Sequence, residues 1–131
     1  MESFVGRYDR SLDAKGRVIV PTRLRPHFGD PDGYMAPHQD GCIAFWTDEE
    51  FSAEARRQHA RESDGPDARN EVREWFSHVT RIELDSQGRV AIPQDLRSHA
   101  ALDSEVLFVG VFDRVELWSR SRWESRGDTG S

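Results

Sequence analysis

Short strands separated by tight turns dominate the hydrophobic pattern of this chain. Apolar and polar residues alternate on both sides of two four-residue turns, D-A-K-G at residues 13–16 and D-S-Q-G at residues 85–88. Such alternation beside a glycine-containing turn predicts a strand, a turn and a second strand. The predicted strands cover residues 8–12, 17–20, 42–46, 80–84, 89–92, 106–112 and 115–118.

The segment from residue 47 to residue 79 has a helical pattern instead. Thr47 with Glu50 matches a capping box, so a helix is predicted from there to about residue 61. The S-D-G-P-D sequence at residues 63–67 ends this helix, and a second helix is predicted from about residue 67. Its apolar side chains form one stripe, which we expect to pack on the strands or on a neighbouring subunit: Val72, Trp75, Phe76 and Val79.

Two parts of the chain have nearly the same sequence. S-L-D-A-K-G-R-V-I-V-P, beginning at Ser11, and E-L-D-S-Q-G-R-V-A-I-P, beginning at Glu83, align at an offset of 72 residues. Because 131 residues form about one domain, the two copies should share one core and give a pseudo-twofold molecule. The expected organisation is repeat 1 over residues 7–52, a helical connector over residues 53–78, and repeat 2 over residues 79–124.

The residues of the two turns have specific chemical roles. Each turn carries an aspartate, a glycine and an arginine at the same spacing, namely Asp13, Gly16 and Arg17 in repeat 1 and Asp85, Gly88 and Arg89 in repeat 2. The aspartate can accept backbone N–H bonds at the start of the turn, and the glycine can take the positive φ that closes it. The arginine should then leave the turn from a fixed point, with the carboxylate orienting its guanidinium.

A short helix is predicted after each pair of strands. Pro21 and Pro93 follow the second strand of each repeat, and proline fits the first turn of a helix because its missing N–H has no intrahelical acceptor there. Pro26 limits the first of these helices to about two turns. Leu24 and Leu96 should face the core.

Charge is distributed unevenly along the chain. The formal net charge is −6, which by itself argues against a nucleic-acid partner. Residues 47–78 hold nine carboxylates and five arginines, a pattern typical of a solvated helix face. Residues 1–28, in contrast, hold three carboxylates and six cations, which gives a local balance of +3; the cations are Arg7, Arg10, Lys15, Arg17, Arg23 and Arg25.

Neither catalysis nor a cofactor is expected from the motifs present. The five histidines lie far apart, and the sequence contains no H-E-x-x-H, C-x-x-C, G-x-S-x-G or glycine-rich phosphate loop. Cys42 lies in an apolar segment, where burial would make it inert, and no metal site is predicted. The lone cysteine and the absence of an apolar N-terminal run lead us to expect a cytoplasmic protein that does not cross a membrane.

The motifs together closely resemble those of the MraZ family, bacterial regulators of the division and cell-wall gene cluster. The resemblance rests on L-D-x-x-G-R-V-x-[IV]-P twice, F-x-G-x-Y at residues 4–8, D-G-C at residues 40–42 and V-E-L-W-S at residues 115–119. It implies a mainly β fold with short helices, in which two SpoVT-AbrB-type repeats form one pseudo-twofold, swapped-hairpin (double-split) β-barrel. It also implies a ring of subunits that binds short direct repeats in promoter DNA within the nucleoid.

The family's D-x-x-x-R signature falls on Asp13 and Arg17 and again on Asp85 and Arg89, with Lys15 at the basic turn position. The resemblance assigns DNA contact to the first arginine, and the planar guanidinium fork makes Arg17 the better candidate for reading a base. The other cations of residues 1–28 are left open as phosphate contacts or bystanders, with Lys15, Arg7 and Arg10 carried as candidates beside Arg89.

Repeat 2 has a less positive turn than repeat 1. Gln87 replaces Lys15 and Asp95 replaces Arg23, so repeat 1 is expected to carry most of the DNA affinity. For Arg89, an ion pair with Asp85 that stiffens the turn is favoured over direct contact with DNA. The alternative function is an AbrB-fold interaction module that binds a protein partner, as antitoxins of that fold do.

Overall fold

Short strands and short helices alternate in the computed structural model, which describes residues 3–29 and 32–127. The strands are β1 (Arg7–Ser11), β2 (Arg17–Ile19), β3 (Tyr34–Pro37), β4 (Ile43–Trp46), β5 (Thr80–Arg81), β6 (Arg89–Ala91), β7 (Glu105–Gly110) and β8 (Val115–Ser119). The α-helices are α1 (Asp48–Ala60), α2 (Pro66–Ser77), α3 (Gln94–His99) and α4 (Arg120–Ser125), with 3-10 helices at Arg25–His27 and Arg61–Asp64.

The two repeats exchange strands with each other. A six-stranded antiparallel sheet has the order β1-β7-β8-β4-β3-β5, and a separate two-stranded sheet pairs β2 with β6. The first strand of each repeat therefore pairs with the third strand of the other. The strands that flank each turn meet one another only at the single bridges Leu12–Val18 and Leu84–Val90. The turns form as predicted, whereas the strand partners come from the other repeat.

Equivalent residues meet at the centres of two strand pairs, which shows the pseudo-twofold relation directly. Val18 pairs with Val90 in the β2–β6 sheet, and Ala44 pairs with Glu116 between β4 and β8. Both pairs are separated by the 72-residue offset of the sequence repeat. The local twofold axis therefore passes between the two residues of each pair. One core serves both repeats.

The core contains the apolar residues that face inward from both repeats. Phe28, Phe45 and Phe108 are fully buried, and Phe45 packs edge to face on the other two rings at centroid distances of 6.1 and 5.6 Å. Leu24 and Leu96 are buried, as predicted. The fold is mixed α/β with mostly antiparallel strands. Within the described residues β1 and β5 are open edges of the larger sheet, so its pairing does not close a barrel.

The connector consists of two helices held against the sheet by aromatic side chains. Thr47 caps α1 by accepting the Glu50 N–H at 3.2 Å, which confirms the predicted start of this helix. Trp75 of α2 packs on Trp46 and donates its indole N–H to the Pro37 carbonyl at 3.1 Å. Within the predicted apolar stripe, Phe76 packs edge to face on Trp75 and remains 38% exposed on the single chain.

Three further elements differ from the sequence prediction. The short helix of repeat 1 is only a turn and the 3-10 helix Arg25–His27, because Pro26 cannot continue an α-helix, whereas α3 is α-helical. Strand β3 was not predicted, since its sequence is short and contains Pro37. Helix α4 was also missed, although Ser119 caps it by accepting the Arg122 N–H at 3.0 Å.

Candidate nucleic-acid interface

One carboxylate organises the turn of repeat 1. Asp13 Oδ1 accepts the backbone N–H groups of Lys15 and Arg17, each at 2.9 Å, and Oδ2 accepts the Arg17 Nε–H at 2.8 Å. Gly16 has φ +78° and donates its N–H to the Asp13 carbonyl at 3.0 Å, which closes the turn. The sequence D-x-x-G-R therefore fixes both the backbone and the direction of the arginine side chain.

The turn of repeat 2 has the same geometry. Asp85 accepts from the backbone of Gln87 and Arg89 at 2.9 Å and from the Arg89 Nε–H at 2.8 Å, and Gly88 has φ +79°. Among the described residues, the terminal guanidinium nitrogens of Arg17 and Arg89 make no hydrogen bond. The ion pair orients each arginine through Nε and leaves its fork available, so orientation by aspartate and contact with a ligand are compatible.

Hydrogen bonds keep both aspartates ionised. The backbone N–H of Arg17 is the main cause that lowers the pKa of Asp13, with further lowering from the Arg17 side chain. The backbone N–H of Arg89 lowers the pKa of Asp85 in the same way. Each carboxylate is therefore an anion at neutral pH, as it must be to hold a guanidinium.

The β2–β6 pairing places both signature arginines on one surface. Side chains alternate between the faces of a strand, and Val18 and Val90 point into the core. Arg17 pairs with Ala91, and Arg89 pairs with Ile19, so these four residues share the outer face. We call this two-stranded sheet, with its outer face and two turns, the arginine ribbon. The ribbon unites two arginines that lie 72 residues apart in the sequence.

The ribbon is also more basic than the sequence indicates. Lys15 is exposed at the first turn, the Arg97 guanidinium lies against Gly16, and the Arg25 guanidinium lies against Gly88. The two turns thus gather five cations around two carboxylates: Lys15, Arg17, Arg25, Arg89 and Arg97 around Asp13 and Asp85. Sequence reasoning did not single out Arg97, although its alignment with Arg25 was a signal that could have found it.

Two predicted site residues lie apart from the ribbon. Arg7 is at the start of β1, the end farthest from the turn, and pairs with Asp9 at 3.1 Å. Arg10 donates from Nη1 to the Asp9 carbonyl at 2.7 Å. The structure therefore brings Lys15, Arg17 and Arg89 together but places Arg7 along the flanking strand.

One cluster has donor types that bind metals. His38, Cys42 and Glu116 place one potential ligand atom each within 4.8 Å of the others. Trp118 and Arg114 already donate to the two oxygens of Glu116 at 3.0 and 2.9 Å. Burial, with the nearby Glu116 charge, raises the pKa of the Cys42 thiol, and the Asp40 N–H donates to His38 Nδ1, which leaves the ring proton on Nε2. Among the described residues, these hydrogen bonds already occupy both Glu116 oxygens and His38 Nδ1.

His78 links the connector to repeat 2. Its Nδ1 lies 2.5 Å from Asp95 Oδ2 in α3, and its Nε2 lies 3.0 Å from Glu74 Oε1 in α2. The hydrogen bond with Asp95 is the main cause that raises the pKa of His78, and the same contact lowers the pKa of Asp95. The three residues line a groove of about 750 Å³ that also includes Trp46 and Trp75.

Two adjoining matches cover almost the whole chain. The family model described as "MraZ protein, putative antitoxin-like" matches residues 3–74 and 75–128. The chain belongs to the MraZ family. In the described ranges, no helix has the length and apolar character needed to span a membrane.

Curated members of the MraZ family are similar over most of their length. A protein of Ligilactobacillus salivarius (strain UCC118) is 41% identical over 125 residues, which is 95% of this chain and 87% of the relative. A protein of Alkaliphilus metalliredigens (strain QYMF) is 39% identical over 125 residues, with the same coverage. A protein of Moorella thermoacetica is 40% identical over 121 residues, 92% of this chain and 84% of the relative. All three are named "Transcriptional regulator MraZ".

Proposed function

We propose that this chain is a sequence-specific DNA-binding transcriptional regulator of the division and cell-wall gene cluster. It acts in the cytoplasm on the nucleoid, as a ring oligomer bound to short direct repeats in promoter DNA. The single observation that carries the proposal is the arginine ribbon, on which Arg17 and Arg89 share one outer face with their guanidinium forks available. The names of the relatives support the regulatory role.

A two-stranded ribbon is an element that can enter the major groove of DNA. In this groove, a guanidinium fork can bond the O6 and N7 atoms of a guanine edge. Arg17 is the base-reading candidate because it is fixed at Nε and lies beside Lys15. Lys15, at the tip of the turn, has the point charge suited to a phosphate. Arg89, which has the same geometry, is the second candidate for a base contact.

Several subunits are needed because one ribbon carries few cations and the chain has a net charge of −6. In a ring, each contact after the first is intramolecular, so weak contacts to regularly spaced DNA repeats add up. The exchanged strands support the proposed swapped-hairpin barrel, in which the division at residues 7–52, 53–78 and 79–124 separates two repeats from a helical connector. Arg7 and Arg10, on the flanking strand, would contact phosphates of the same duplex.

The test is a mobility-shift titration at several salt concentrations. The probes are DNA from the region upstream of the chain's own gene and a scrambled duplex of equal composition. Wild type should bind the first probe more tightly, and Arg17→Ala should weaken that binding by about tenfold or more, with a smaller loss for Arg89→Ala. The matched control is Arg57→Ala, which removes an exposed arginine paired with Glu54 in the connector.

The result that contradicts the proposal is equal binding by wild type and Arg17→Ala, or equal loss in Arg57→Ala and Arg17→Ala. Mass measurement of the wild type in solution tests the ring independently. A monomer at the concentrations used for DNA binding would remove the multivalent part of the proposal.

The second candidate is binding to a protein partner, in the manner of an antitoxin. The words "antitoxin-like" in the family description favour it. An interaction module would retain its partner when Arg17 is replaced and would show no salt-dependent preference for upstream DNA. The mobility-shift titration therefore separates the two functions.

A further inference from the structure

Two arginines cross between the repeats to cover the turns. A Cβ added to Gly16 would collide with the guanidinium of Arg97, and a Cβ added to Gly88 would collide with that of Arg25. Arg97 belongs to α3 of repeat 2, and Arg25 begins the 3-10 helix of repeat 1. Each turn glycine is thus covered by a guanidinium from the opposite repeat.

The backbone of each turn glycine is held by the opposite repeat as well. The Gly16 carbonyl accepts the Ile92 N–H at 2.8 Å, and the Gly88 carbonyl accepts the Val20 N–H at 2.9 Å. Both glycines are buried. The covering guanidinium and the hydrogen bond therefore act on the residue that immediately precedes the signature arginine.

We propose that Arg97 is the positioning residue for Arg17 and that Arg25 is the positioning residue for Arg89. The inference rests on the proposed DNA-binding function and identifies which residues fix its geometry. A functional side chain keeps a productive geometry only when its supporting residues hold it within about 0.5 Å. The aspartate of the same repeat fixes each signature arginine at Nε, and the arginine of the other repeat fixes the glycine beside it.

The two covering arginines are not anchored equally. Arg25 donates its Nε–H to the Val20 carbonyl at 2.7 Å, whereas the buried Arg97 Nε has no hydrogen-bond partner in the described part of the chain. Packing alone therefore holds Arg97 on Gly16. Removal of the Arg25 guanidinium should loosen the second turn more than removal of the Arg97 guanidinium loosens the first.

Amide hydrogen exchange on the free full-length chain tests the crossed arrangement without DNA. The variants are Arg97→Met and Arg25→Met, which keep an unbranched apolar side chain and remove the guanidinium. Arg97→Met should speed exchange of the Arg17 amide about tenfold and leave the Arg89 amide unchanged, because local opening is confined to the uncovered turn. Arg25→Met should speed exchange of the Arg89 amide and leave the Arg17 amide unchanged. An effect on the turn of the same repeat, or equal effects on both turns, would overturn the proposal.

Double substitutions on DNA give the second measurement. Adding Arg97→Met to Arg17→Ala should cause little further loss of DNA affinity, because both changes act on the same turn, that of repeat 1. Adding Arg97→Met to Arg89→Ala, which acts on the other turn, should give additive losses of affinity. Additive losses in both pairs would overturn the positioning role. If wild type does not bind upstream DNA, the proposed function fails while the exchange result still decides the crossed arrangement.

Lysine variants separate positioning from charge and also serve if a methionine variant does not fold. Arg97→Lys and Arg25→Lys keep the charge but lack the planar group that covers the glycine. They should show the same crossed pattern of exchange with a smaller increase than the methionine variants. Full restoration of wild-type exchange and DNA affinity by lysine would overturn the proposal, because charge alone would then be sufficient.

Discussion

The turns of repeat 1 and repeat 2 have the same backbone but different surroundings. The three aspartate-centred hydrogen bonds agree in length between the two turns, and the glycine φ angles differ by only one degree. Around them, Lys15 corresponds to Gln87 and Arg23 to Asp95. The Asp95 carboxylate is not free to contact a ligand, because it is hydrogen-bonded to His78 of the connector.

This difference separates two requirements of the candidate site. Presenting an arginine in a fixed direction depends on aspartate, glycine and strand exchange, and both repeats retain all three. Attracting a polyanion depends on the neighbouring charges, and only repeat 1 has a lysine at the tip of its turn. We therefore expect changes to the turn backbone to act alike in both repeats, and changes to charge to act differently.

The largest expected effect comes from replacing the turn glycines. Gly16→Ala and Gly88→Ala should each lower the free energy of unfolding by about 2 kcal/mol, because a Cβ is strained at positive φ and also meets a guanidinium. Urea unfolding measures both losses. The control is Gly127→Ala, a position without a positive φ and with no atom within 4 Å of the added Cβ, where the loss in free energy of unfolding should be much smaller. Very different losses of unfolding free energy in Gly16→Ala and Gly88→Ala would show that the two turns are not equivalent.

A smaller effect is expected from exchanging the charge between the tips. Lys15→Gln should weaken DNA binding about fivefold at moderate salt and reduce the salt dependence by the equivalent of one phosphate contact per engaged subunit. Gln87→Lys should change both quantities in the opposite direction. Titrations of upstream DNA at four salt concentrations give the slope. If neither variant alters the slope, the tips of the turns do not face the phosphates.

The smallest effect concerns the link between the connector and repeat 2. The pKa of His78 is raised above its ordinary value of 6.5, so the stability from its bonds to Asp95 and Glu74 is fully present below pH 6.5 and is lost as pH rises through the folded-state value. The pKa of Asp95 is lowered from 3.8, so its contribution is lost in acid instead. The contacts of His78 with Asp95 and Glu74 therefore stabilise the fold most at pH values between the folded-state pKa of Asp95 and that of His78.

Raising the pH from 6 to 8 should lower the free energy of unfolding of wild type by about 0.5 kcal/mol more than that of His78→Gln. The difference is small because the His78 and Asp95 side chains are partly exposed to solvent. Urea unfolding at the two pH values measures it. His59→Gln, which changes a more exposed histidine on α1, is the control. Identical pH dependence of wild type and His78→Gln would show that repeat 2 is not tied to the connector in this way.

Local chemistry explains what the sequence could predict. The aspartate-glycine-arginine turns, the cap at Thr47 and the buried Leu24 and Leu96 follow from short-range rules, and the structure confirms them. The partners of the strands could not be obtained in that way, because a turn with good geometry does not determine which strand its flanks will pair with.

Long-range consequences of the strand exchange were therefore missed. The union of Arg17 and Arg89 on one face requires the β2–β6 pairing, and the cover over Gly16 requires Arg97 from the other repeat. The exposure of Phe76 and the distance of Arg7 from the turns also depend on tertiary packing. The sequence repeat indicated two equivalent units with one core, whereas the expectation of swapped hairpins came from the family resemblance alone.

Methylation interference on upstream DNA tests the central claim most directly, since a methyl group on guanine N7 blocks the atom that a guanidinium fork would bind in the major groove. With wild type, methylation of at least one guanine in each direct repeat should prevent binding. With Arg17→Ala, the same guanine should no longer interfere, while the remaining pattern should persist. An identical interference pattern for wild type and Arg17→Ala would contradict base reading by the arginine ribbon.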